Sequence, residues 1–219
     1  AAGETSGVLI ASDSTQHNGP AWTIFAMFFT VVMLAGNMVK ERNSGCMARL
    51  LTMPGGVAER ILGRAVAYLF ICVTQLGVLL AMGHWVLPVW GLPALVLGPA
   101  KDLALLLLAA VFISGAATSF GVLVGSFART QQQSAILGSS VVVIMSAIGG
   151  IWVPLYIMPQ GMQMIGRFSP LNWSMEAFNV ILLRQGDLGE LVLYLLPLAG
   201  FSVLCLAITV VAERIASSN

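Results

Sequence analysis

The sequence predicts an all-α membrane protein with about five transmembrane helices. Of its 219 residues, 58% are hydrophobic and only 9% are charged, whereas soluble domains carry roughly 25% charged residues. The mean hydropathy is +0.93. Several segments also reach the length of about 20 mostly apolar residues that a helix needs to cross a bilayer. Length and apolarity together therefore define the fold class.

The same composition excludes several classes of protein. Ten basic and nine acidic residues leave a formal charge of +1, so the chain has no basic surface for nucleic acid. Three cysteines lie far apart and only two histidines occur. We therefore expect neither a disulfide framework nor a metal site.

The predicted elements follow one another from the amino end. Residues 1–20 are polar and are expected to end an extracytoplasmic region. A transmembrane domain follows over 21–214, and 215–219 form a cytoplasmic tail. Residues 86–100 contain three prolines and are interpreted as a loop at the membrane interface. The predicted spans cover residues 21–39, 63–83, 103–128, 134–158 and 191–212.

The distribution of basic residues predicts the orientation, because Lys and Arg are enriched in cytoplasmic loops. The five spans place one group of basic residues on one side: Lys40, Arg42, Arg49, Arg60, Arg64, Arg129 and Arg214. Only Lys101, Arg167 and Arg184 fall on the other side. The first side and the C-terminus are therefore predicted to be cytoplasmic. The chain begins with Ala1 rather than Met, so we expect a fragment or a processed product whose original N-terminus is not included.

The stretch ERNSGCMARLLTMPGG directly follows the first span. Met47, Leu50 and Leu51 share one helical face, and Pro54 with the following glycines ends the helix. Two interpretations fit this amphipathic helix. It rests on lipid at the interface, or it docks on a cytoplasmic partner.

Two motifs in the right order resemble type-2 ABC exporter permeases. The first is Glu41-Arg42, then Gly45, then Arg49-Leu50-Leu51 and Pro54; the second is FSPLNWSMEAFNVILLRQGDL at 168–188, just before the last span. The resemblance covers about residues 20 to 214. The chain differs from the family at Cys46, Met47 and Ala48, where members usually carry Thr and then an acidic residue. The first span and the extracytoplasmic domain of the family are also absent from this sequence.

The resemblance implies a permease subunit in a bacterial inner membrane that exports a drug, a lipid or a glycoconjugate. Its implied partners are the lipid bilayer, a second permease subunit in a homo- or heterodimer, and a cytoplasmic ABC ATPase that binds ATP and Mg. A P-loop needs Gly-Lys followed by Ser or Thr, but Lys40 and Lys101 follow Val39 and Ala100. We therefore expect no cofactor on this chain and no enzymatic activity of its own. The expected ATPase contacts are Glu41, Arg42, Gly45, Met47, Arg49, Leu50, Leu51 and Pro54.

The outer motif has its own helical pattern. Ser169 is a predicted N-cap with Pro170 at the first helical position. Leu171, Met175, Phe178 and Leu182 form an apolar stripe, and Asn172, Glu176 and Asn179 share another face. One interpretation is an interfacial helix anchored by Trp173. The resemblance implies the other, a re-entrant helical hairpin over about 159–185 in which Glu176 faces protein or a wet path.

The span cores contain no Asp, Glu, Lys or Arg, which disfavours a proton- or sodium-coupled carrier. Ala117, Gly121 and Gly125 form a small-residue stripe that predicts close helix packing, with substrate contact as the alternative. The predicted function is ATP-driven export of a hydrophobic or amphipathic substrate. A channel or a structural scaffold stays an alternative. An intramembrane hydrolase is disfavoured, because His84 is the only histidine near the membrane to activate a serine such as Ser114 or Ser139.

Overall fold

A computed structural model describes residues 2–45, 57–91, 100–184 and 186–218, and all regular structure in these ranges is helical. The prediction of an all-α protein is confirmed. Short turns of helix cover Met82–Val86, Leu87–Val89 and Leu155–Ile157. The longer elements are α1 (Ala2–Asn43), α2 (Val57–Ala81), α3 (Ala100–Phe127), α4 (Gln131–Ile148), α5 (Gln160–Gly166), α6 (Pro170–Leu182) and α7 (Leu188–Ser218).

Within the described residues, four helical segments are long and apolar enough to cross a membrane. They are Asn18–Asn43, Val66–Val86, Lys101–Phe127 and Leu188–Ala212. These segments contain all of the predicted first and fifth spans and all of the third except Ala128. They also contain most of the predicted second span. The chain is therefore a multi-pass membrane protein.

The fourth predicted span differs from the structure. It was expected to reach residue 158, but α4 ends at Ile148 after 18 residues, a rise of about 27 Å. Gly149 and Gly150 follow, and Gly150 has a φ of 84° that an L side chain rarely adopts. The backbone turns at this pair, so the apolar residues 151–158 belong to a connection and not to the span.

α1 is longer than the first predicted span, because its backbone is helical from Ala2. Pro20 lies inside this helix. A proline removes one backbone hydrogen bond and favours a kink, and the helix nevertheless continues through it.

α3 lies at the centre of the bundle and packs most extensively against α1 and α7. Gly121 lies against Leu34 of α1, and Gly115 lies near Ser202 of α7. The order of their contacts along the chain shows that α1, α3 and α7 run in the same direction, whereas α2 and α4 run the opposite way. The core between them contains large, fully buried side chains, among them Phe28, Ile113, Phe178 and Leu198.

The two ends of the bundle differ in residue type. Lys40, Arg42, Arg64 and Arg129 lie at one end, called the basic end below. Trp22, Trp85, Trp90 and Trp152 lie at the opposite end, the tryptophan end, where all four side chains are exposed. Phe25 joins two of them, with ring centroids 5.9 Å from Trp22 and from Trp152.

α5 and α6 form a helical hairpin at the tryptophan end, within the predicted range 159–185. α6 packs against α1, α3, α4 and α7. Nine of its thirteen residues are buried. A surface anchor would leave one face in the headgroups, so this burial favours a hairpin packed into the bundle.

Candidate functional site

At the basic end, side chains at the end of α1 contact α2 and α3. Glu41 forms an ion pair with Arg64 of α2. Arg42 Nη2 donates to the carbonyl oxygen of Gly125 on α3, 3.4 Å away. Gly45 ends the helix with a φ of 72°, which glycine adopts at no steric cost.

These contacts bear on the expected ATPase site. Glu41 and Arg42 are engaged within the chain, at the point where α1 meets the following loop. The remaining expected contacts, Met47, Arg49, Leu50, Leu51 and Pro54, lie outside the described residues. Their role stays a prediction.

At the tryptophan end, two side chains at the start of α6 bind the last turn of α4. Ser169 Oγ donates to the carbonyl oxygen of Met145 over 3.2 Å. Asn172 Nδ2 donates to the carbonyl oxygen of Gly149 over 3.3 Å. The Met145 carbonyl also accepts the backbone N–H of Gly149, so Ser169 adds a second donor there, while Asn172 provides a donor to the C-cap residue Gly149. The start of α6 is therefore bonded to the end of α4.

Ser169 occupies the predicted N-cap position, with Pro170 as the first helical residue. Its hydroxyl does not cap α6, however. The side chain turns to α4 instead, which the local sequence could not indicate because α4 lies more than twenty residues earlier in the chain.

Glu176 lies in a small polar cluster on α6. Arg184 Nη2 lies 3.3 Å from Glu176 Oε2, and Asn179 Nδ2 lies 3.5 Å from Glu176 Oε1. The Glu176 side chain is 29% exposed. Among the described residues, Asn179 Oδ1 is buried without a hydrogen-bond partner. The three residues of the predicted polar face therefore have different partners. Asn172 bonds to the end of α4, whereas Glu176 and Asn179 contact each other.

Trp173 and Phe178 take different positions on α6. The indole Nε1 of Trp173 donates to the carbonyl oxygen of Arg167 over 2.7 Å, which closes the turn between α5 and α6. Phe178 is fully buried in the core. Trp173 therefore holds the hairpin together through a contact within the chain.

The stripe of Ala117, Gly121 and Gly125 on α3 lies in the buried part of the bundle. A Cβ at Gly121 would lie 2.7 Å from Leu34 Cδ2. A Cβ at Gly125 would lie 3.2 Å from the backbone Cα of Ala35. The glycines therefore let α1 and α3 approach closely, as small residues do in membrane helix pairs.

An ion pair also joins α3 and the start of α7 at the tryptophan end. Lys101 Nζ contacts Asp187 Oδ1, and both side chains are largely exposed. The hydrogen bond from Lys101, and then its positive charge, lower the pKa of Asp187 below the ordinary value.

Little in the described part of the chain favours catalysis. Ser114 Oγ donates to the carbonyl oxygen of Val111, and Ser139 Oγ donates to that of Ala135, both within their own helices. No group of three or more His, Cys, Asp or Glu residues that could hold a metal ion occurs among the described residues.

Sequence reasoning missed Arg64 and Tyr68 as members of the basic-end site. Asn37 Nδ2 donates to the hydroxyl of Tyr68 over 3.0 Å. A signal was present, because Asn37 and Glu41 are four residues apart on α1, and Arg64 and Tyr68 are four apart on α2. Residues at this spacing share one helical face.

Apolar spans, charged residues at one end and a packed hairpin at the other define the class as a multi-pass α-helical membrane protein. The family described as ABC-2 family transporter protein matches residues 14–211. The chain belongs to this family, as the two sequence motifs predicted.

Individual relatives agree with this assignment. The chain is 28% identical over 203 residues to the linearmycin resistance permease protein LnrN of Bacillus subtilis (strain 168), covering 92% of this chain and 49% of the relative. It is 27% identical over 171 residues to the probable multidrug ABC transporter permease YbhR of Escherichia coli (strain K12), covering 76% of this chain and 44% of that relative. The chain thus spans about half the length of the curated relatives it matches.

Proposed function

We propose that this chain is the membrane-spanning part of an ATP-driven exporter of hydrophobic or amphipathic compounds. The absence of Asp, Glu, Lys and Arg from the span cores carries the proposal. Transport coupled to protons or sodium generally needs ionisable groups inside the membrane. In this proposal the energy comes instead from an ATPase on another chain that binds ATP and Mg.

The names of the relatives support the substrate class. One is named for resistance to linearmycin and the other as a probable multidrug permease. Expression in a sensitive bacterial strain tests the proposal with a panel of growth inhibitors that includes linearmycin. We expect increased resistance to at least one hydrophobic or amphipathic compound. Unchanged resistance to all of them, at confirmed expression together with the cognate ATPase, contradicts export of this class.

We propose that the protein lies in a bacterial inner membrane with its basic end facing the cytoplasm. The positive charges of that end support it. Single cysteines at Gln132 and at Gly161, in a variant that lacks the native cysteines, test the orientation with a membrane-impermeant reagent. Gly161 should label from outside intact cells and Gln132 only after lysis. Labelling of Gln132 in intact cells contradicts the orientation.

ATPase docking is proposed for the loop after α1. Leu50 and Leu51 lie on the apolar face of its predicted helix. Replacing both by Asp should remove the ATPase from the purified complex while the permease still inserts. Gln132→Asp is the control, because it adds a negative charge to the first turn of α4 at the same end. Equal ATPase retention in the double variant and the control contradicts docking at this loop.

We further propose that a second copy packs on the side formed by α1 and α4. From Val192 to Val211 the exposed residues of α7 are uncharged and almost all apolar, as expected of a surface against lipid. The α1 and α4 side combines exposed apolar residues, such as Met33 and Ile144, with the exposed polar residue Ser140. Polar groups in a span favour protein or a water-filled path.

Crosslinking tests this arrangement. Met33→Cys and Ile144→Cys, each in the variant without native cysteines, should form disulfide-linked dimers under mild oxidation in membranes. Leu204→Cys on α7 is the control and should stay monomeric. Equal crosslinking of the control, or none at either test position, contradicts this interface.

A further inference from the structure

Two side-chain pairs connect α1 and α2 next to the loop between them. The ion pair of Glu41 and Arg64 lies nearest the loop. The hydrogen bond from Asn37 to Tyr68 lies one helical turn deeper. The spacing of four residues on each helix stacks the two pairs on facing sides of α1 and α2.

These pairs span a cavity of about 310 Å³ between the helices. The four polar residues line it together with the following neighbours: Leu34, Met38, Gly63 and Ala67. Apolar packing is therefore incomplete at this level. The spacing of the two helices here depends on the polar pairs more than on interlocking side chains.

Arg42 adds a connection to α3. Its guanidinium donates to the carbonyl oxygen of Gly125, which belongs to the last turn of α3, where carbonyls lack partners within the helix. A cation at a helix C-terminus also interacts favourably with the helix dipole. The end of α1 is thus bound to both α2 and α3.

Both side chains of the ion pair are partly shielded from water, so breaking the pair should destabilise this contact between the helices. The Arg64 side chain is 18% exposed and the Glu41 side chain is 38% exposed, so neither group is fully hydrated. Removing one partner leaves the other charge partly desolvated and unpaired. The two helices then lose the contact nearest the loop.

We propose that Glu41–Arg64 and Asn37–Tyr68 act as a clasp that holds both ends of the cytoplasmic loop, so that a displacement of the loop by the ATPase moves α1 and α2 together. Glu41 then serves as a positioning residue and not as an ATPase contact, and Arg64 and Tyr68 join it. This inference rests on the proposed function, because it assumes that an ATPase acts on the loop.

The test uses the complex with its ATPase and measures whether nucleotide binding at the ATPase changes the structure at the opposite end of the permease. The probe is Val153→Cys at the tryptophan end, in the variant without native cysteines, labelled with and without ATP plus vanadate. We expect nucleotide to change the labelling rate in this parent. Glu41→Gln and Arg64→Gln should reduce that change about fivefold or more, although the ATPase still co-purifies and hydrolyses ATP. Tyr68→Phe should have a smaller effect.

Two further variants separate transmission from general damage. The charge swap Glu41→Arg with Arg64→Glu should restore the nucleotide response, because it restores the ion pair. Asp187→Asn removes a carboxylate from an ion pair at the other end and should leave the response unchanged. A swap no better than the single variants, or single variants that respond like the parent, overturns the clasp.

Failure of the proposed function is distinguishable from failure of the clasp. If the parent protein retains no ATPase, the proposed function is overturned, and the transmission role falls with it. If the ATPase is retained and the single variants lose it, Glu41 or Arg64 contacts the ATPase directly, and the clasp is overturned while the proposed function stands.

Discussion

The side-chain amide of Asn172 donates a hydrogen bond to the carbonyl oxygen of Gly149, 3.3 Å away. This bond joins the start of α6 to the residue at which α4 stops. Together with the bond from Ser169 to Met145, it caps α4 from a different helix. The position of the hairpin and the end of α4 are therefore linked.

Removing this cap should destabilise the protein. Asn172→Leu leaves the buried carbonyl of Gly149 without its side-chain donor, at a cost of about 1 to 3 kcal/mol. Thermal unfolding of the detergent-solubilised protein measures the loss. Ser174→Ala is the control, because Ser174 is also buried on α6 but donates only to Pro170 within the helix. Equal melting temperatures for both variants would show that the cap contributes nothing.

Gly125→Ala should separate α1 from α3. The new methyl group would lie 3.2 Å from the backbone of Ala35, which cannot move without shifting α1. We expect a destabilisation of about 1 to 3 kcal/mol, as for overpacked cores. Gly77→Ala on α2 is the matched control, since nothing lies within 4 Å of its Cβ position and alanine favours a helix over glycine. Unfolding of both variants in detergent tests this, and a Gly125→Ala protein as stable as Gly77→Ala contradicts close packing.

Glu176→Leu should impair export or the association of subunits at normal expression. It leaves Arg184 without its partner and removes the acceptor for Asn179. Glu176→Gln should be milder, because the amide still accepts hydrogen bonds and partly exposed ion pairs contribute only about 0 to 1 kcal/mol. Co-purification of differently tagged copies measures association, and resistance to the compound identified in the growth panel measures export. Glu190→Gln, an exposed site on α7, is the control. Two silent Glu176 variants would reduce this residue to a solvated surface group.

The Lys101–Asp187 pair should give a small, pH-dependent contribution to stability. Its hydrogen bond and charge lower the pKa of Asp187 in the folded protein, so folding favours the ionised carboxylate. The contribution is present above the ordinary pKa of about 3.9 and is lost as the pH falls through the lowered value. Asp187→Asn should therefore lower the melting temperature slightly at pH 7, and the difference should shrink below about pH 4. A difference that grows on acidification contradicts the sign of this linkage.

The sequence by itself determined the features that depend on local pattern. Runs of apolar residues at spanning length located α1, α2, α3 and α7, since burial in lipid requires little beyond hydropathy and length. The motif at 168–188 located the hairpin through its resemblance to the family. Membership of that family is confirmed by the match over residues 14–211. The helical start at Pro170 followed from the preference of proline for the first helical position, which depends only on neighbours in the chain.

Tertiary structure alone decided the contacts between segments that are distant in the chain. Apolar residues continue past Ile148, so hydropathy could not indicate that α4 ends where Gly150 adopts a positive φ and α6 supplies the cap. The sequence predicts an ATPase contact for Glu41, but it could not indicate the ion pair with Arg64, which is 23 residues later on a neighbouring helix. Hydropathy and periodicity describe one segment at a time, whereas the partner of a polar group depends on how helices pack, and only the folded bundle determines that.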